Sequence, residues 1–268
     1  MAHSHMRLVV KSHVEVTCDG VCPTVAMLRP SSGTAQWVVS QSYEVKPWIP
    51  AIEYLDSFGN ACQRFTLPPG LASIDVESQV IVDDQIASAP SAGFVLVENL
   101  PTDSLMYLLP SRYCPSDRAY DKASEVVGDA APGFGQVAAI CDWIRGNIEY
   151  RYGVSNESTD AFDTLEAGAG VCRDFSHIAI TLCRALRIPA RFVSGYLYQL
   201  DPMDMHAWFE AYVGGAWHTF DATQEARKAG RVVVSYGRDA ADVAFLSNYG
   251  PMKVRDMKVT VEKIAARS

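Results

Sequence analysis

Polar and apolar residues alternate in His13-Val14-Glu15-Val16 and again from Ile74 to Val80 (Ile74-Asp75-Val76-Glu77-Ser78-Gln79-Val80). A period of two sends one strand face into a core and the other to solvent. Tyr54-Leu55-Asp56 and Arg64-Phe65-Thr66 flank Ser57-Phe58-Gly59-Asn60, which predicts a hairpin. Proline and glycine recur through residues 7–110 at intervals of about ten, and no helical period survives there. The pattern predicts an all-β, sandwich-like module with no catalytic constellation of its own.

After Pro101 and Pro110 the period changes. Val137, Ile140, Cys141, Ile144 and Ile148 fall at helical spacing over Phe134–Ile148, and Trp143 reads with them as core. Gly168-Ala169-Gly170 then leads into Val171–Arg187, where Phe175, Ile178, Ala179, Leu182, Cys183 and Leu186 form one apolar stripe. Ile188-Pro189 stops that helix. Residues 190–198, 205–213, 217–223 and 252–264 read as strands, so the fold class is α+β: a β module at 7–110, then a mixed core at 111–268. Met1–Met6 (MAHSHM) reads as an expression scar, which leaves His3 and His5 without functional weight.

Composition narrows the function classes. The chain has 268 residues, 49% of them hydrophobic and 20% charged, which excludes a disordered chain. No window reaches the ~18 apolar residues of a spanning helix, and Lys11, His13 and Glu15 break up the first apolar stretch. The expectation is a soluble, cytoplasmic protein without a membrane partner. The net charge of -8 divides into -6 over residues 7–110 and -2 over the rest. Such a surface repels phosphate backbones and argues against a nucleic-acid partner. The odd number of cysteines, seven, lacks regular spacing and argues against a disulfide framework. Cys18 and Cys22 bracket a turn with no second pair to complete a zinc site.

Cys172 stands where a glycine-rich loop enters a helix. Helix N-termini stabilise thiolates through the macrodipole and unpaired N–H groups, and those groups can also hold an oxyanion. A packing cysteine is the competing reading. His206 begins a strand, His206–Val213, which Gly214-Gly215 joins to Ala216–Thr223. If Val213 pairs with Ala216 across that two-residue turn, Asp221 lies opposite Trp208, diagonal to His206 on the same face. The turn therefore predicts that Asp221 can orient His206, as a catalytic triad requires; a purely structural His–Asp pair stays open. In this register His218 points to the opposite face with Phe220. His177 sits five residues along the helix from Cys172, about 140° round, and reads as structural. Glu210 and Thr219 share the His206 face, as site support or as a cross-strand pair. Asp174 complements the helix dipole.

Gly170-Val171-Cys172-Arg173-Asp174-Phe175, Arg187-Ile188-Pro189-Ala190-Arg191 and Val193-Ser194-Gly195-Tyr196, with His206-Ala207-Trp208-Phe209-Glu210 and Trp217 through Phe220-Asp221-Ala222-Thr223, resemble the core of the transglutaminase-like superfamily. The order Cys, His, Asp is that family's order. The N-terminal half resembles the β module that precedes this core in bacterial transglutaminase-like proteins labelled cysteine proteases. Ala222 departs from the proline of many members. The resemblance implies a papain-like reaction on peptide or protein amides, with Cys172 as nucleophile, His206 as acid–base and Asp221 as its orienter. It implies no cofactor and no metal. It also implies an upstream side chain as second oxyanion donor, for which Tyr152 is the candidate and Trp143 a further one, with Trp208 in support. The same triad serves hydrolysis and transamidation. The lack of a D-x-D-x-D-G calcium loop favours hydrolysis. Two rivals remain: a catalytically idle binding module of the same fold, and a metal hydrolase using Cys172, His206 and either Asp221 or His218.

Overall fold

The computed structural model describes residues 4–264. His3 lies outside them. His5 and Met6 continue the first strand, and Met6 is buried in the core.

Six strands come first: β1 (His5–Cys18), β2 (Cys22–Ala26), β3 (Gln36–Lys46), β4 (Ile52–Leu55), β5 (Ala61–Leu67) and β6 (Gly70–Asp83). Their burial alternates residue by residue along β1 and β6, as the sequence pattern requires. The expected β4–β5 hairpin forms, with Leu55 opposite Ala61. A run of turns and short 3-10 segments leads to α1 (Tyr120–Val127) and α2 (Phe134–Asn147). There follow β7 (Glu149–Tyr150), α3 (Ala161–Ala167), β8 (Ala169–Gly170), α4 (Cys172–Ala185), β9 (Ala190–Leu197), β10 (His206–Val213), β11 (Ala216–Phe220), β12 (Arg231–Gly237), β13 (Leu246–Asn248) and β14 (Met252–Ile264).

The central sheet has the order β11-β10-β9-β12 and is antiparallel. One face packs on the helices: Phe192, Phe209, Ala211 and Phe220 join Phe134, Ile140, Ile144, Phe175, Ile178 and Leu182 in one buried cluster. Tyr196, Val232 and Val234 pack instead against Leu8, Val10, Val80 and Val82 of the β module. The sheet is therefore clamped between two apolar layers.

The last strands return to the first module. β14 pairs with β1 from Arg7↔Ile264 to Cys18↔Met252, and β13 pairs with β2, giving sheets β14-β1-β6-β3 and β13-β2-β5-β4. Read along the sequence, residues 252–264 belong with the second half. Alternation marks a strand but not its partner, and this pairing spans most of the chain. The outer edge of β12 is closed by side chains that imitate a neighbouring strand. Gln36 bonds both the carbonyl and the N–H of Val233 at 2.7 Å, and Asn60 does the same for Tyr236 at 2.8 Å. Such partners remove the exposed edge that free strand groups would present.

In the last turn of α4, the buried Arg184 guanidinium donates to the carbonyls of Ala190, Leu109 and Arg238. It ties the helix end, β9 and the segment before α1 together. No helix among the described residues is long and apolar enough to cross a membrane.

Candidate active site

Cys172 is the first residue of α4, so its N–H has no intrahelical partner. Asp174 holds this end in place: it is fully buried, and its Oδ2 accepts from the Val171 N–H at 2.9 Å and the Ser155 hydroxyl at 2.6 Å. Its function is thus more specific than dipole complementation, because it fixes the turn entering the helix. Gly170 is required there: a Cβ would meet Asp174 Cβ at 2.7 Å. Of the seven cysteines, six are buried and Cys172 alone is half-exposed. Burial pushes the Cys114 and Cys141 thiols up to about 12.

The β10–β11 hairpin takes the register its glycines predict, with Val213 opposite Ala216 and Phe209 opposite Phe220. Pairing ends there, and Asp221 turns back on itself: its Oδ1 accepts from the Thr223 N–H at 2.9 Å and hydroxyl at 2.7 Å. Its Oδ2 lies 2.7 Å from His206 Nε2, with the two side chains 5% and 2% exposed. Nδ1 is the ring nitrogen left free by that bond, on the cleft that His206 shares with Cys172. Burial disfavours the charged imidazole, but the hydrogen bonds to Asp221 and Cys172 and their negative charge outweigh it and raise His206 to about 9. Asp221 is held below the usual carboxylate range: burial pushes it up, but His206, Arg231 and Thr223 prevail. Trp208 is buried and stacks on the imidazole, with ring centres 6.0 Å apart at 28°. Gly195, opposite His206 on β9, leaves the room: a Cβ there would strike Val232 O at 2.1 Å and the Trp208 ring at 2.8 Å.

Cys172 and His206 open onto a cleft of about 260 Å³, lined also by Tyr150, Tyr152, Asp201, Asp204 and Met205. Tyr152 therefore borders the cleft, on a rim where it is 55% exposed. Tyr150, which the sequence does not single out, lines the same cleft. β7 pairs in parallel with β8, which runs straight into Cys172, and burial, Cys172 and Tyr152 together push the Tyr150 phenol up. Trp143 does not line the cleft; it packs among the helices beneath the Lys122 ammonium, 4.6 Å from its ring.

The other candidates separate. His177 is fully buried, stacks on Tyr113 at 5.0 Å, accepts the Ala240 N–H at 3.2 Å, and is held neutral by burial, down to about 3. His218 lies edge-on to Phe134, away from the His206 imidazole. Glu210 forms an ion pair with Arg191 of β9 at 2.5 Å, and Thr219 lies across from it. No group of three or more His, Cys, Asp or Glu side chains among the described residues is arranged to hold a metal ion.

Arg231 is the residue that sequence reading missed. It opens β12 and donates to Asp221 Oδ2 at 2.8 Å. The Val-Val-Val run after it, set between Gly230 and Gly237, is a strand signal, but nothing local links its first residue to Asp221.

Chemically, the arrangement offers a reachable thiol at a helix start, a buried imidazole that can carry a proton, and a fixed carboxylate behind it. Residues 120–222 match the Transglutaminase-like superfamily, and residues 20–83 match the Bacterial transglutaminase-like N-terminal region. A crystal structure described as a putative cysteine protease from Cytophaga hutchinsonii is 34% identical, with a TM-score of 0.92 over 99% of this chain and 93% of that one. An uncharacterized protein of Mycobacterium leprae is 27% identical over 88% of this chain and 90% of its own. One from Mycobacterium tuberculosis is 27% identical over 70% of this chain and 68% of its own.

Proposed function

Because the chain belongs to the transglutaminase-like superfamily, we propose that it hydrolyses peptide or protein amides through Cys172, His206 and Asp221. The observation that carries this reading is the buried His206–Asp221 pair, 2.7 Å apart, on the cleft that holds the half-exposed Cys172.

Cys172 gives its proton to His206 and attacks the amide carbonyl as thiolate, the nucleophilic form. The S–C bond forms, and the charge moves to the carbonyl oxygen. The N–H groups at the start of α4 can receive that charge, with the Tyr150 hydroxyl at hand beside them. His206, now imidazolium, protonates the departing amine as the C–N bond breaks and a thioester remains. Water, deprotonated by His206, then resolves the thioester to carboxylic acid and free thiol. Proton transfers of this kind contribute about 10²–10⁴-fold. Asp221 keeps the ring aimed and compensates its charge. The rim of the cleft is exposed at Tyr150 and Tyr152, 42% and 55%, so water is the acceptor at hand and hydrolysis is favoured over transfer to an amine. The relative from Cytophaga hutchinsonii, described as a putative cysteine protease, supports the same choice.

The test combines alkylation with turnover. Iodoacetamide followed by mass spectrometry should mark Cys172 ahead of the six buried cysteines, and His206→Ala should slow that labelling sharply. Release of dye from fluorescein-labelled casein should vanish in Cys172→Ala while the circular dichroism spectrum is unchanged. A Cys172 labelling rate indifferent to His206→Ala would overturn the reading and bring the idle-module alternative forward.

A further inference from the structure

Arg231 is a buried cation that a Cys-His-Asp triad does not by itself require. Its Nη2 donates to Asp221 Oδ2, the oxygen that also faces His206 Nε2, and the Arg231 and Asp221 side chains are 7% and 5% exposed. Its guanidinium carbon lies 5.0 Å from the centre of the Trp208 ring, the ring that stacks on His206. Its Nε and Nη1 are buried and have no hydrogen-bond partner among the described residues. Unpaired buried donors are costly, so Asp221 is the contact that ties this cation into the site. Asp221 is already aimed without it, since Thr223 holds Oδ1 twice. What Arg231 adds is charge.

That charge has a chemical consequence. An imidazole facing a buried carboxylate alone binds its proton tightly, and an acid whose proton affinity far exceeds the working pH is a poor donor. A second cation on the same carboxylate oxygen opposes the proton on the ring.

We propose that Arg231 is a positioning residue that sets the proton affinity of His206: by sharing Asp221 Oδ2 it loosens the imidazolium's hold on its proton and keeps the ring able to protonate a leaving amine. The proposal rests on the reading of His206 as the acid–base of a thiol reaction. Other charged and titratable groups face the pair from every side. Cys172 comes from α4 and Tyr150 from β7, and Asp201 and Asp204 stand in the cleft. Behind Asp221, Arg145 and Asp142 of α2 pair with each other, and Glu225 and Arg227 come from the segment before β12. All of these stay constant when only Arg231 is changed.

The experiment is an NMR titration of the His206 ring in the full chain carrying Cys172→Ala, which removes the thiol from the balance. Arg231→Met keeps an unbranched stem over Trp208 without the charge, and Arg231→Lys keeps the charge. The His206 midpoint should rise by about one unit or more in Arg231→Met, the size expected for a charge this near, and fall back in Arg231→Lys. Arg231→Gln takes the place of Met if the Met protein does not fold. A midpoint that stays put or falls on loss of the charge, or that Lys does not restore, would overturn the proposal, because a purely packing role for Arg231 leaves the titration unmoved. Failure of the thiol reading shows elsewhere, as Cys172 labelling indifferent to His206→Ala, and leaves this midpoint readable.

Discussion

Two buried histidines lie in the same core at different depths of the chemistry. His177 and His206 are 0% and 3% exposed, yet burial holds His177 neutral down to about 3 while His206 keeps its proton up to about 9. The difference is in their partners. His177 meets a tyrosine face, a phenylalanine and one backbone N–H; Asp174 acts on it only at a distance. His206 meets a carboxylate at 2.7 Å and the Cys172 side chain. Desolvation penalises both rings, and only a hydrogen-bonded negative charge reverses the sign. A histidine count, or even a burial count, would have placed them together.

The largest way to break this contrast is Asp221→Asn, which should make His206 resemble His177. The ring should lose its proton near or below the ordinary histidine range of about 6.5. Hydrolysis of labelled casein should fall about 10⁴-fold, the scale for neutralising a triad carboxylate. NMR titration and initial rates read the two effects separately. A protein that kept both its rate and its His206 midpoint would remove Asp221 from the proposed mechanism.

A smaller change works from the other side. His177→Phe keeps the stack on Tyr113 but leaves the Ala240 N–H without its acceptor. Urea unfolding at neutral pH should show a loss of about 1–3 kcal/mol, with the rate per folded molecule unchanged. A rate that fell in proportion to nothing but His177 would mean it reaches the site after all.

The gentlest test uses pH alone. The folded His177 takes up its proton only near 3 and the unfolded one near 6.5, so the unfolded chain binds more protons as pH drops below 6.5 and stability falls there. The limiting slope is about 1.4 kcal/mol per pH unit from this group. His206 has the opposite sign: its contribution is complete below about 6.5 and is lost as pH rises through about 9. Urea midpoints measured across pH should therefore show a shallower acid limb in His177→Phe and a shallower alkaline limb in Asp221→Asn. Identical limbs in all three proteins would show that neither ring is held as the structure implies.

Much of this site was legible in the sequence because it is built from short-range rules. The α4 stripe marks a helix over 171–187 that a glycine-rich loop enters at Cys172, and the structure starts it at Cys172. Gly214-Gly215 allows one tight turn, and that turn sets the register which carries Asp221 to His206. The same register turns His218 away. Trp208 was expected in support and stacks on the ring. Tyr152 is expected as an oxyanion donor and borders the cleft; the parallel pairing of β7 with β8 brings Tyr150 to the same cleft, and two-residue pairings leave no periodic trace. The return of β14 to β1 escaped for a related reason: both alternate with the same period, and nothing in either names the other.

The sequence alone determined helices α2 and α4, the alternation of β1 and β6, the β10–β11 hairpin, and the candidate set of Cys172, His206 and Asp221, since helix periods, tight turns and strand alternation act over a few residues. Tertiary structure decided what surrounds that set. It decided that Arg231 shares the carboxylate, that Gln36 and Asn60 close the edge of β12, and that the chain's last strand completes its first sheet. Those contacts join residues far apart in the chain, and their free energy exists only once the apolar layers have packed and excluded water.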